Sequence, residues 1–174
     1  MLELLYQRRS IRNYLSTPIE EEKVQKLIRA ALLAPSGRGV DSQRFIVVTD
    51  QNLLSKLAQT REFGSAFLKD APLVFVILGD SKATDIWVED AALAAITIQI
   101  TAQSLGLGSC WVQVRNRQQS PEKTAEEYVQ ELLNIPSHLK VVCMLGIGYP
   151  AENKKARTDN DLDFSRVYTN TYKI

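Results

Sequence analysis

From Ala91 to Val114 the chain carries no charged residue. A stretch of that length belongs either in a bilayer or in a protein interior. Thr97, Gln99, Thr101, Gln103 and Ser104 interrupt its apolar residues, and Gly106 and Gly108 follow. Side-chain polarity at that density makes a poor membrane span. The alternative is a helix over 85–105, buried on most sides and stopped at Gly106, with a strand over Cys110–Val114 behind it. A helix buried in this way needs other layers around it, and the remaining sequence supplies them. Phe45–Thr49, Leu73–Leu78 and Leu139–Ile147 are short runs of apolar and β-branched residues, each separated from the next by helical patterning. These features predict one α+β domain over residues 1–174, with a mixed central sheet flanked by helices on both faces in three α/β/α layers.

The local signals fill in the frame. Leu2–Arg9 reads as a short helix. Thr17-Pro18-Ile19-Glu20 has the pattern of a helix start, with Thr17 as cap, Pro18 in the first turn and Glu20 closing a capping box. Val24, Leu27, Ile28, Ala31 and Leu32 then recur at helical spacing. Asn52–Arg61 and Ser65–Lys69 read as helices, and Ser120-Pro121 as the opening of an amphipathic helix. After Gly148-Tyr149-Pro150 the chain is polar, yet Phe164, Tyr168 and Tyr172 recur four apart. Such a tail, about 150–174, either wraps a partner subunit or folds back on its own domain.

Composition removes several classes of function. Formal net charge is +1 over 174 residues, which gives no support to nucleic acid or an anionic membrane as partner. His138 is the single histidine, and with Cys110 and Cys143 it does not form zinc spacing. Neither a G-x-S-x-G element nor a Walker loop is present. Gly106-Leu107-Gly108 follows a helix rather than a strand, so it is not a dinucleotide fingerprint. The start, Met1-Leu2-Glu3 with arginines soon after, does not look like a secretory leader, and the expected location is cytoplasmic. A chain without nucleophile, base or metal set borrows its chemistry from a cofactor.

Four clusters invite a ligand. Arg8, Arg9, Ser10 and Arg12 place three guanidiniums and a hydroxyl where a helix gives way to a loop, a set that suits phosphate oxygens. Lys155 and Arg157 lie two apart and face one way if the chain is extended there. Pro35, Ser36 and Gly37 form a small-residue loop that lets backbone approach a flat ligand. Gly106–Gly108 leads into Trp111, Val112 and Gln113, a strand that can lie along a planar ring. Each cluster alone also has an ordinary reading: an exposed basic helix end, a solvated charge pair, a plain loop, a helix–strand connection with Trp111 in the core.

Taken together and in order, R-R-S-x-R, A-P-S, G-L-G-S-C-W, G-I-G-Y-P and K-x-R resemble the nitroreductase family of FMN-dependent oxidoreductases across almost the whole chain. The resemblance implies an intertwined homodimer with two FMN sites, each built from both subunits. By that analogy Arg8, Arg9 and Ser10 hold the flavin phosphate with Lys155 and Arg157, and Arg12 reaches the pyrimidine edge as an electrostatic stabiliser. Pro35, Ser36 and Gly37 come from the partner, and Trp111, Val112 and Gln113 line the ring. It implies NADH or NADPH as donor and a small acceptor such as a nitroaromatic or quinone. A non-catalytic flavin-binding dimer, a carrier or sensor, is the other function compatible with the same residues. Gly39–Phe45 departs from the family pattern, having no asparagine and no Q-P-W, which leaves open which of residues 38–44 touch a flavin.

Overall fold

The computed structural model describes residues 1–172. Four strands form the central sheet: β1 (Gln43–Val48), β2 (Leu73–Asp80), β3 (Gly108–Gln113) and, in a later stretch of chain, Leu139–Gly148. A small hairpin supplies β4 (Gln118–Ser120) and β5 (Lys123–Thr124), so Leu139–Gly148 is β6. The order is β1-β2-β6-β3. The helices are α1 (Leu2–Gln7), α2 (Glu21–Leu32), α3 (Gln51–Leu57), α4 (Trp87–Ser104) and α5 (Ala125–Leu132).

Every neighbour pair in the sheet is antiparallel. The expected mixed pairing is reduced to one parallel bridge, Ser10 with Ser109, at the β3 edge. Wholly apolar strands are the usual mark of a parallel sheet; here helices on both faces impose the same composition on antiparallel strands. Along β2, Val74, Val76 and Leu78 enter one core with α3 and α5, while Leu73, Phe75 and Ile77 enter the other with α2 and α4. In β6 the alternation slips. Ile77 pairs with Cys143 and Leu78 with Val141, leaving Val142 as an extra residue. Val142 and Cys143 therefore both face the α2–α4 side, as a β-bulge requires.

The uncharged run is α4 followed by β3. Leu107 N–H donates to Ala102 O at 2.9 Å and Gly106 N–H to Gln103 O at 3.1 Å. With Gly106 at φ 75°, this is the Schellman ending that glycine favours. The turn delivers Gly108 straight into the sheet.

Two helix starts differ from expectation. Thr17–Ile19 is not helical, and α2 begins at Glu21 with Glu20 at its cap position and no side-chain cap. The Glu20 carboxylate is taken instead by the Tyr149 hydroxyl, 2.6 and 2.8 Å from its two oxygens. Ser120-Pro121 does not open a helix either. It sits in the β4–β5 hairpin, and Thr124 caps α5 in a full capping box with Glu127. Helices α1 and α3 are shorter than expected at their C-terminal ends. His138 is half-buried in the loop before β6, where its carbonyl accepts from Ser81 N–H at 3.1 Å.

The tail first folds back on its own chain. Arg157 N–H donates to Tyr6 O at 2.9 Å, and the Tyr6 hydroxyl donates to Asp159. From Leu162 to Tyr172 every residue is exposed, Phe164 at 69%, Val167 at 72% and Tyr172 at 74%. Lys173 and Ile174, the last residues of the expected tail, lie outside the described residues.

Candidate functional site

The N-terminal segment after α1 is laid against the edge of β3 by glycine. A Cβ on Gly108 would stand 2.8 Å from Ile11 Cβ, closer than carbon atoms pack, so only glycine admits Ile11 here. Ile11 N–H then donates to Ser109 O at 3.0 Å, which fixes Ser10 beside Ser109. Tyr14 secures the other end. Its buried hydroxyl lies 2.6 Å from Ile11 O and 2.9 Å from Gly146 O, and burial pushes its pKa well up. The chain beyond β6 runs alongside: Ala151 N–H donates to Asn13 O at 2.9 Å, and Leu15 N–H to Tyr149 O at 2.9 Å.

Between these two segments opens a cavity of about 230 Å³ lined by Arg8, Arg9, Ser10, Arg12, Lys154 and Arg157. Five cations and a hydroxyl thus meet in one concavity. Arg8 bears the cost. Its pKa is lowered, first by burial and then by the positive charge of Arg157, with Arg9 adding to it. A guanidinium does not lose its proton in a protein, so the shift marks a place where positive charge is crowded and partly dry. An anion relieves that crowding, and a phosphate offers the oxygens to do so.

The pair Lys155 and Arg157 divides. Both line a second cavity of about 290 Å³ with Arg9, Thr158 and Asp161, but only Arg157 also faces the first. Lys154 takes the place expected of Lys155. Its Nζ donates to Ser10 O at 2.6 Å and lies 3.4 Å from a Glu152 oxygen. Lys155 contributes its carbonyl, which accepts from Arg9 Nη1. The chain is not a strand here, so alternate residues do not share a face. Arg12 joins the same cavity as Arg8, Arg9 and Ser10, and its guanidinium has no hydrogen bond or ion pair among the described residues.

The remaining expected residues lie elsewhere in the chain. Trp111 is half-buried against the α4 core, while the Val112 side chain is buried in the opposite core; only the Val112 backbone is left to face a ligand. Trp111 Nε1–H donates to Gln113 Oε1 at 3.0 Å, and Gln113 Nε2 donates to Arg115 O at 2.8 Å. Indole is a donor only and a carbonyl an acceptor only, so both ends of the Gln113 amide are committed. Pro35, Ser36 and Gly37 do not line the basic cavity. Their loop is held by Asp90, buried in the first turn of α4, whose carboxylate accepts from Gly37 N–H at 2.8 Å and Ser42 Oγ at 2.6 Å. Arg38 and Asp41 within it have φ of 56° and 50°, the left-handed region that non-glycine residues enter at a cost.

The nitroreductase family model matches residues 5–62 and 56–149. The chain belongs to the nitroreductase family. It is similar to a solved structure described as an FMN-dependent nitroreductase from Clostridium difficile R20291. The two are 47% identical with a TM-score of 0.98, over 99% of this chain and 100% of the other. A protein of Archaeoglobus fulgidus, provisionally named NADH dehydrogenase/NAD(P)H nitroreductase, is 35% identical over 88% of this chain and 87% of its own. A Bacillus subtilis protein named FMN reductase (NADPH) is 26% identical over 99% of this chain and 74% of its own. The nitroreductase fold therefore spans the whole described chain. No described helix is long and apolar enough to cross a membrane, and no described group of His, Cys, Asp and Glu has the makings of a metal site.

Two residues near the basic cavity escape sequence reasoning. Lys154 sits in the basic run Lys154, Lys155 and Arg157 near the end of the chain, but the K-x-R spacing points to Lys155 and Arg157 instead. Glu152 carries no signal beyond an acid two residues before a lysine.

Proposed function

We propose that this nitroreductase-family chain is an FMN-dependent NAD(P)H oxidoreductase, working as a homodimer that passes electrons from NADH or NADPH to a small acceptor such as a nitroaromatic or quinone. The observation that carries the reading is the convergence of Arg8, Arg9, Ser10, Arg12, Lys154 and Arg157 on one cavity. Its size and charge fit a phosphate monoester, which brings close to two negative charges at neutral pH. When bound, FMN supplies the hydride acceptor and donor that the side chains lack.

The chain's own residues bind and orient. Arg8, Arg9, Lys154 and Arg157 neutralise the phosphate, and Ser10 adds a neutral donor. Arg12, with no competing partner among the described residues, extends toward the pyrimidine edge and stabilises negative charge there. The Trp111–Gln113 pair gives a wall whose rotamers are locked by its own hydrogen bonds. Orientation of this kind accounts for most of what a protein adds to cofactor chemistry.

The dimer reading is supported by surfaces that lack a partner among the described residues. Leu93 on the outer face of α4 is 42% exposed, and Leu32 and Leu33 at the end of α2 are 69% and 81% exposed. A groove of about 420 Å³ beside edge strand β1 is lined by Ile28, Leu32, Phe45 and Val47. Gln43 borders it, with its Oε1 buried and lacking a donor among the described residues. The exposed tail over 162–172, with Leu162, Phe164, Val167, Tyr168 and Tyr172 set among polar residues, is long enough to cover such a groove on a second copy. Pro35, Ser36 and Gly37, displaced from the basic cavity of their own chain, then reach the partner's flavin.

Anaerobic stopped-flow mixing of the FMN-loaded protein with NADH or NADPH tests the activity. Bleaching of the flavin absorbance within a turnover time supports the oxidoreductase. A dimer that binds FMN but is not reduced by either nucleotide is the carrier or sensor instead.

A further inference from the structure

We propose that Glu152 is a positioning residue for the anion site, acting through Lys154 and the Arg12 backbone; this rests on the reading that the basic cavity holds the FMN phosphate. One Glu152 oxygen accepts from Arg12 N–H at 2.6 Å and Asn13 N–H at 3.2 Å. The other lies 3.4 Å from Lys154 Nζ, which in turn donates to Ser10 O at 2.6 Å. One carboxylate thereby ties the segment that carries Ser10 and Arg12 to the segment that carries Lys154. These are the two walls of the cavity. The carboxyl is held below its ordinary range, chiefly by the Arg12 amide, so it is charged at neutral pH.

Simple electrostatics argues the other way. A carboxylate beside an anion site repels the ligand, and its removal should tighten phosphate binding. Positioning predicts the opposite sign. Without the carboxylate charge, Lys154 loses its counter-charge and turns toward solvent, because a flexible ammonium keeps one orientation only while its donors are engaged. The Arg12 amide loses its charge-assisted acceptor, and the loop bearing Ser10 and Arg12 loosens. The two effects compete, and the geometry favours positioning, since Glu152 contacts both walls and both of its oxygens are engaged in doing so.

The test is binding of FMN and of riboflavin, which lacks the phosphate, to the wild-type dimer and to Glu152→Gln. Glutamine keeps the shape and one acceptor, so the variant folds, and a thermal melt confirms it. The expected result is FMN affinity about tenfold weaker, the loss from one slackened charge-assisted bond, with a smaller loss for riboflavin, which shares the Arg12 contact but has no phosphate to be positioned. A Lys154→Met variant is expected to weaken FMN similarly, and adding Glu152→Gln to it to cost less than Glu152→Gln costs alone, since the part that runs through Lys154 is already lost and only the Arg12 part remains. Tighter FMN binding by Glu152→Gln, unchanged binding, or equal loss for FMN and riboflavin each overturns the inference. If the wild-type protein itself does not prefer FMN over riboflavin, the phosphate assignment fails, a result read from the wild type alone.

Discussion

Replacing Gly108 with alanine tests how the fold builds the anion site, because it is remote in sequence from every cation in it. The added Cβ would stand 2.8 Å from Ile11 Cβ and 2.9 Å from both of its γ carbons. Carbon atoms pack at about 3.5–4.0 Å, so Ile11 must retreat by roughly 1 Å. It cannot do so by changing rotamer, since its Cβ is fixed to the backbone. The Ile11 N–H to Ser109 O bond at 3.0 Å must stretch with it, and Ser10 and Arg12 on either side shift too. Overpacking of this kind costs about 1–3 kcal/mol, which for a chain of this size lowers Tm by roughly 3–10 °C. A displacement near 1 Å at a binding constellation costs up to about 100-fold, so FMN affinity is expected to fall by about 10- to 100-fold. The control is Gly106→Ala. Gly106 has φ 75°, and a methyl group added there would have nothing within 4 Å; it carries the strain of a left-handed residue, about 1 kcal/mol, but no clash. Flavin fluorescence titration and thermal melts on both variants give the comparison. If Gly108→Ala binds FMN as tightly as Gly106→Ala, the packing of Ile11 on Gly108 does not set the site.

Asp90→Asn is expected to destabilise by about 1–2 kcal/mol, since the charge-assisted bonds become neutral ones and the Ser42 hydroxyl must turn from donor to acceptor; denaturant melts measure it, and a Cm equal to wild type would contradict the role. Tyr14→Phe leaves Ile11 O and Gly146 O without the buried hydroxyl and is expected to cost about 1–2 kcal/mol, again by denaturant melt. Arg157→Ala is expected to weaken FMN and to flatten the salt dependence of its binding, because one fewer cation meets the phosphate; an unchanged salt slope would place Arg157 outside the site. Truncation after Asp161 removes the exposed tail with its aromatic residues and is expected to shift the mass in sedimentation from dimer toward monomer, whereas an unaltered dimer would show that the tail lies off the interface.

Much of the fold can be read from the chain, and the differences share a cause. The pattern Thr-x-x-Glu occurs at Thr17–Glu20 and at Thr124–Glu127. The second forms a capping box; the first does not, because Tyr149, 129 residues away, claims the Glu20 carboxylate. Local pattern is identical and tertiary partners decide. The strands announce themselves by apolar runs, but their antiparallel order does not, since helices on both faces erase the alternation that would mark it. In the site, arginine-rich chemistry near residue 10 is legible from residue types. The exchange of Lys155 for Lys154 is not, because it depends on Arg157 N–H turning back to Tyr6 O in a segment with no regular period. Glu152 is invisible for the same reason: its meaning is the pair of amides it meets across the chain.

Native mass spectrometry of the purified protein, before and after denaturation, addresses the central claim most directly. A dimer carrying two FMN molecules that are released on unfolding is expected. A single chain without flavin, and unable to take up added FMN, would contradict it.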